Sequence, residues 1–354
     1  MEVAGKLDSS FGSSIGGAGG KMGKLQGVVS KFGKIAAGAF AAKQVLDFGA
    51  ACVKSAMDFE DSMADVSKVV DGLRDANGNN TKEYYKMADA LQQMSLKIPL
   101  SANELAQITA SAGQAGIARK DLTLFTEDAA KMATAFDTTA EQAGDWMAQW
   151  RTSMGLTQKG VETLADQVNY LGNTSSEKAT KIAEVVGETG SLGQMAGLSG
   201  GKVAALAAAT TGIDASTAST GIKSLITAMS AGSSATAKQQ KVLSKLGLTS
   251  KGVAQGMQKD AQGTILDLMK RIQQLPKAEQ TAAIKDYFGK QSLQTIAKLA
   301  GKDGLENLKK QFESVGSKSK YAGSMQKEFD IRSKTTSNSL QLMKNSLEYV
   351  KVTI

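Results

Sequence analysis

Between Ser101 and Trp150 apolar residues return every three or four positions in three successive blocks, and only a helix gathers such residues on one face. Ser101 precedes Glu104 by three residues, the spacing at which a hydroxyl and a carboxylate satisfy each other's orphan backbone donors at a helix start. Gly113 and Gly116 stop this first helix. Phe125, Ala129, Met132 and Phe136 form the stripe of the second. Thr138 to Glu141 repeats the capping spacing, and Ala143, Trp146, Met147 and Trp150 form the stripe of the third, with both tryptophans of the chain.

The same period runs along most of the sequence. Only two prolines, Pro99 and Pro276, interrupt 354 residues, and alternating β-branched runs hardly occur, so the expected fold is all-α. With 5% aromatic residues and 37 glycines, small side chains must do much of the packing. That favours helices in close contact over one thick core. The expectation is an elongated helical protein with long N-terminal and C-terminal helices flanking a compact region of short ones.

Taken in order, residues 1–34 are rich in glycine and serine and read as a flexible arm. Its Gly20-Lys21 is no P-loop, because Ile15 stands where the first glycine belongs and Met22 follows the lysine. Gly38, Ala41, Val45, Phe48, Cys52, Ser55, Phe59, Met63, Val66 and Val70 mark one seam, which predicts a long amphipathic helix over 35–73, starting near Lys34. Arg74 to Asn80 is a turn centred on Asn-Gly. Asp75, Asn77 and Asn79 imitate the first ligands of a calcium loop, but Asn80 replaces its glycine and Lys86 its bidentate glutamate. Tyr84, Met87 and Leu91 predict a helix ending before Pro99.

After Trp150, Val161, Leu164, Val168 and Leu171 should stop at Gly172-Asn173, with Thr174 to Glu177 opening the next helix. Ser199 should cap a helix carrying Val203, Leu206 and Thr210 up to Gly212, and Ile222 to Met229 should stop at Gly232. Thr264 reads as the start of a helix ending before Pro276, and Tyr287 and Phe288 as a buried helix end. From Phe329 the spacing becomes heptad-like through Arg332, Thr336, Leu340, Met343, Leu347, Val350 and Ile354. Phe329, Leu340, Met343, Leu347, Val350 and Ile354 are therefore candidates for a self-association seam in the start of a coiled-coil helix over 329–354. The chain is expected to be the front of a longer protein.

The residue types restrict chemistry. Histidine is absent, which removes the commonest general base, and Cys52 alone forms neither an intrachain disulfide nor a zinc site; its place on an apolar stripe suits a small buried hydrophobe. No catalytic residue, metal site or cofactor is expected. The nearest approach to a spanning segment, residues 35–53, is interrupted by Lys43 and Asp47, and residues 1–20 lack the apolar core of a signal peptide, so a soluble product of the cytoplasm is expected. Residues 58–150 hold 8 basic and 15 acidic side chains, whereas residues 151–300 hold 17 and 10. Such asymmetry can guide contact between copies or with a charged partner.

Phe59-Glu60-Asp61-Ser62-Met63 with Val66, Glu104-Leu105-Ala106, Ser111 to Ile117, Asp137 to Glu141, Leu171 to Ser176, Ala196 to Ser199 and Thr220-Gly221-Ile222 follow one another in an order that resembles the core region of phage tail tape measure proteins. The likeness covers Phe59 to about Met229. On that basis residues 74–260 are assigned to the helical tape measure core and 261–328 to a further helical region. The resemblance implies a ruler that sets tail length, scaffolds the tube and occupies its lumen until genome ejection. It further implies a homo-oligomer, trimer or hexamer, in a virion assembled in the host cytoplasm. The implied partners are the tail tube protein, tail assembly chaperones and baseplate hub or distal tail proteins, with no specific nucleic-acid site. Two other classes compete. A peptidoglycan hydrolase segment would need paired carboxylates from among Glu104, Glu127 and Asp145, and a membrane-active toxin or pore former would insert the helix over 34–73.

Overall fold

The computed structural model describes the backbone of residues 42–353 and the side chains of residues 54–350. The helices are α1 Ala42–Val69, α2 Lys82–Ser95, α3 Ala102–Gln114, α4 Arg119–Phe136, α5 Ala140–Ser153, α6 Gln158–Thr174, α7 Ala179–Met195, α8 Gly200–Ala209 and α9 Ala215–Ser230. They continue as α10 Ala237–Lys245, α11 Ser250–Gln274, α12 Lys277–Phe288, α13 Leu293–Ala300, α14 Lys302–Gly316, α15 Lys318–Tyr321, α16 Ser324–Arg332 and α17 Thr336–Thr353. The protein is all-α. Among the described residues the one extended pairing is an isolated bridge between Arg74 and Asn80, which closes the Asn-Gly turn. The flexible arm over 1–34, the seam positions Gly38 and Ala41, the burial of Cys52 and the position of Ile354 all lie outside the described residues.

The described residues divide into two compact units, one of residues 42–106 with 336–353, the other of residues 107–335. In the second, α8 is the hub. Its sequence GGKVAALAAA carries Lys202 as its one polar side chain, in the first turn, and Val203 to Ala209 are fully buried where α6, α7, α9 and α14 meet around it. A helix without a polar face is stable only inside a ring of others. The ring closes tightly because glycines line it. A Cβ on Gly200 would reach Leu164 at 3.0 Å, and one on Gly193 would collide with the Val203 side chain.

Several helix ends fall where the sequence puts them. Ser101 Oγ accepts the Glu104 N–H at 3.2 Å while the Glu104 carboxylate accepts the Ser101 N–H at 2.7 Å, closing a reciprocal capping box. Gly116, Gly212 and Gly232 carry φ values of +79°, +80° and +54°, a region that glycine enters without steric cost. The helix expected over 35–73 ends at Val69, just before Gly72 at φ +81°.

Other ends move. Thr139, not Thr138, caps α5 and accepts the Gln142 N–H at 3.2 Å, because Asp137 closes α4 in the left-handed region and the Thr138 N–H is committed to Ala133 O. Thr139→Ala should therefore cost about 1 kcal/mol in thermal unfolding and Thr138→Ala much less, and equal losses would sink the assignment. Gly172-Asn173 is no stop: α6 runs through both, and Gly172 lets the backbone of Ala179 approach to where a Cβ would stand 2.8 Å from its nitrogen. Thr174 ends α6 instead of opening α7, and its hydroxyl donates back to Tyr170 O. Thr264 lies inside α11. That helix is kinked at Asp260, φ −151° and ψ 81°, whose carboxylate accepts the Gly263 N–H at 2.9 Å and so restarts the helix four residues early.

Near the end of the second unit, α16 lies on α4 and α6. Asp166 on α6 accepts the N–H groups of Gly323 and Met325 at 2.8 and 3.0 Å, and Asn169 donates to Ser324 O and Oγ. Burial pushes the Asp166 carboxyl above the ordinary carboxylate range, against those two N–H donors. Tyr287 and Phe288 form a buried helix end, with rings edge to face at 4.6 Å and the Tyr287 hydroxyl donating to Ala228 O at 3.1 Å.

Candidate self-association surface

The heptad pattern from Phe329 onward does not form one helix. It is split at residues 333–335, between α16 and α17. The interruption is local in origin: Ser333, Thr335, Thr336, Ser337, Asn338 and Ser339 crowd this stretch with short polar side chains that compete for backbone hydrogen bonds. Phe329 is only 8% exposed and belongs to the core of the second unit, whereas α17 belongs to the first. Ile354 lies outside the described residues. Leu340 and Leu347 remain 50% and 44% exposed, with Met343 and Val350 half-buried, and Leu340 and Met343 border a cleft with Pro99 and Glu104.

The described inner side of α17 is mostly polar, with Leu342 half-buried three residues before Asn345. Within residues 336–350 only Asn345 is buried, at 2% exposure. Its amide nitrogen donates to Leu100 O at 2.7 Å and Ser95 O at 2.8 Å, with Ile98 O at 3.3 Å. An amide has two N–H groups, so the two short bonds take them and the third carbonyl shares. Its oxygen accepts from Gln341 at 2.9 Å. The carbonyls it serves are those orphaned where α2 ends and the chain turns through Pro99, a helix end without a capping glycine. Glu348 accepts from the Ser55 hydroxyl, and Gln93 donates to the Tyr349 hydroxyl at 2.7 Å, which ties α17 to α1 and α2. A cleft of about 400 Å³ remains beneath, bordered by Lys54, Asp58, Phe59, Ser95, Asn345 and Tyr349.

Elsewhere the acidic residues considered for catalysis have structural surroundings. Glu104 is in its capping box, Glu127 pairs with Lys131 at 2.8 Å, and Asp145 is exposed on α5, its carboxyl raised by partial burial and by Glu141. Asp75, the first position of the calcium-like turn, accepts from Asn77 N and Asn79 N at 2.9 Å each, and those donors hold its carboxyl below the usual range. Among the described residues no three His, Cys, Asp or Glu side chains converge as metal ligands, and no helix is long and apolar enough to cross a membrane.

Asn345 is the residue that periodicity missed. The available signal lay elsewhere, in the missing cap after Ser95: a helix ending without glycine or asparagine, just before a proline, needs a donor from outside.

Residues 88–289, from the middle of α2 to the end of α12, match the family of phage-related minor tail proteins. A protein named probable tape measure protein, from Halomonas phage phiHAP-1, is 33% identical over 289 residues, which cover 78% of this chain and 33% of that protein. The chain thus spans about a third of the length of the curated relative it matches. No solved structure matches it.

Proposed function

We propose, on the premise that this chain belongs to the phage-related minor tail proteins, the phage tail tape measure family, that it is part of the ruler on which a tail is built. Membership carries a structural role in a phage tail. The finer reading is that copies of the ruler lie along the tail axis, tube subunits polymerise around them, and tail length follows ruler length. The observation that carries it is the family match across 88–289, joined to a relative named as a tape measure.

The helical build supports this reading. A helix adds about 1.5 Å per residue, so a ruler made of helices converts residue number into length almost linearly. Self-association through α17, with Leu340, Met343, Leu347 and Val350 meeting their counterparts in a second copy, is part of the proposal. So are contacts with the tube protein, assembly chaperones and baseplate hub, and residence in the tube lumen.

Adding whole helical heptads outside residues 42–353 should lengthen tails by about 10 Å per heptad in electron micrographs. Tails of unchanged length would overturn the ruler reading. For the seam, Leu340→Ser with Leu347→Ser should lower the mass measured by light scattering if α17 joins copies, and an unchanged oligomer would remove these residues from the interface.

A further inference from the structure

We propose that α17 is a releasable strap, held on the α1–α2 pair by polar contacts and able to leave it without opening a hydrophobic core. The inference does not depend on the length-setting reading. An amphipathic helix ordinarily buries its apolar side and shows water its polar one. Here the only fully buried residue within 336–350 is Asn345, while Leu340 and Leu347 stay exposed and Leu342, Met343 and Val350 are half-buried.

The ties can be named. Asn345 holds carbonyls at the end of α2, Glu348 holds Ser55 and Tyr349 holds Gln93. Each exchanges for water at small net cost once the helix lifts, because a group that reaches solvent recovers its hydrogen bond there. The cleft bordered by Lys54, Asp58 and Tyr349 points the same way, since α17 bridges part of the surface below it instead of filling it. Among the described side chains of α17, no apolar one is fully buried, so lifting the helix uncovers no complete hydrophobic side chain there.

Two states follow. Docked, the strap closes the end of α2 and fixes the apolar stripe in place. Released, it uncovers the Ser95 and Leu100 carbonyls and frees the helix to turn that stripe toward a partner.

Hydrogen exchange on the full chain in dilute solution tests this. In the wild type, amides of 338–350 should exchange faster than those of α8 and α9. Asn345→Asp, which sets a carboxylate against carbonyl oxygens, should speed exchange in α17 and the last turn of α2 by about tenfold or more and leave 161–229 unchanged. Tyr349→Phe, a change at the surface that folding tolerates, should give a smaller rise in the same segment. Lys344→Gln, at an exposed position of α17 outside both the ties and the apolar stripe, should give none. The proposal fails if α17 exchanges no faster than α8, if Asn345→Asp leaves α17 unchanged or raises exchange evenly over 107–335, if Tyr349→Phe has no effect, or if Lys344→Gln loosens the strap.

Discussion

Truncating Trp150 to alanine is expected to cost the unit of residues 107–335 about 3–5 kcal/mol, the range for removing a fully buried aromatic side chain from a core. Among the described residues Trp150 is the largest side chain with almost no exposure, on α5, which packs against α4, α6 and α7. Its surroundings are poorly able to collapse into the space. The α5–α7 contact is already as close as glycine permits, since a Cβ on Gly187 would run into Gln149 and one on Gly190 would stand 2.7 Å from the Met154 sulfur. Backbones in contact cannot move closer to fill a void, so most of the cavity should persist. Trp150→Phe should behave differently. The indole N–H has no hydrogen-bond partner, so phenylalanine loses volume and sheds a buried polar group at once, for a net cost below about 1.5 kcal/mol. Chemical denaturation of the full chain separates the two. Similar losses from both would mean that the indole N–H, and not its bulk, is what the core needs.

The second large effect is pH-dependent. Asp128 on α4 is 7% exposed, and burial pushes its carboxyl up to about 6 despite the hydrogen bond from Gln158 Nε2 at 2.7 Å. Glu162 and Glu127 add to the rise, while Lys131 opposes it. The folded state therefore holds the Asp128 proton more tightly than the unfolded chain does. Its charge costs nothing below about pH 4, a growing amount up to pH 6, and about 2–3 kcal/mol at higher pH. Asp128→Asn keeps the size and an acceptor for Gln158 and never ionises. It should raise stability at pH 7.5 by up to about 2–3 kcal/mol and change it little at pH 4. Denaturant midpoints of the two proteins across pH 4 to 8 give the answer, and a difference that stays constant with pH would rule out a buried charge at this position. Nearby, Arg151 joins Asp121 at 2.6 Å and Gln158 at 2.7 Å, so Gln158 bridges an ion pair and the strained carboxylate. That bridge explains why an acidic residue is tolerated there at all.

Much of this architecture is visible in the residue order. The three blocks from Ser101 to Trp150 became α3, α4 and α5, and Phe125, Ala129, Met132, Met147 and Trp150 are fully buried as their spacing requires. The failures have a common form. Thr174 and Thr264 looked like helix starts because a short polar side chain before a helical stripe usually is one, yet both hydroxyls bond a carbonyl four residues back inside a helix. Gly172 looked like a stop and is a contact point for Ala179. In each case the local signal was ambiguous between an end and an interior, and neighbours distant in sequence decided it.

The sequence by itself determined that this protein is helical, where most of its glycine stops fall, the phase of each apolar stripe and its place among phage tail proteins. Those properties follow from the helical period and from the freedom of glycine at positive φ, both of which act over a few residues. Only the tertiary structure decided which side of α17 turns inward. Period alone favoured Leu340 and Leu347. The outcome was set by buried carbonyls at Ser95, Ile98 and Leu100, which need donors wherever water cannot reach, and Asn345 supplies them from 245 to 250 residues further along the chain.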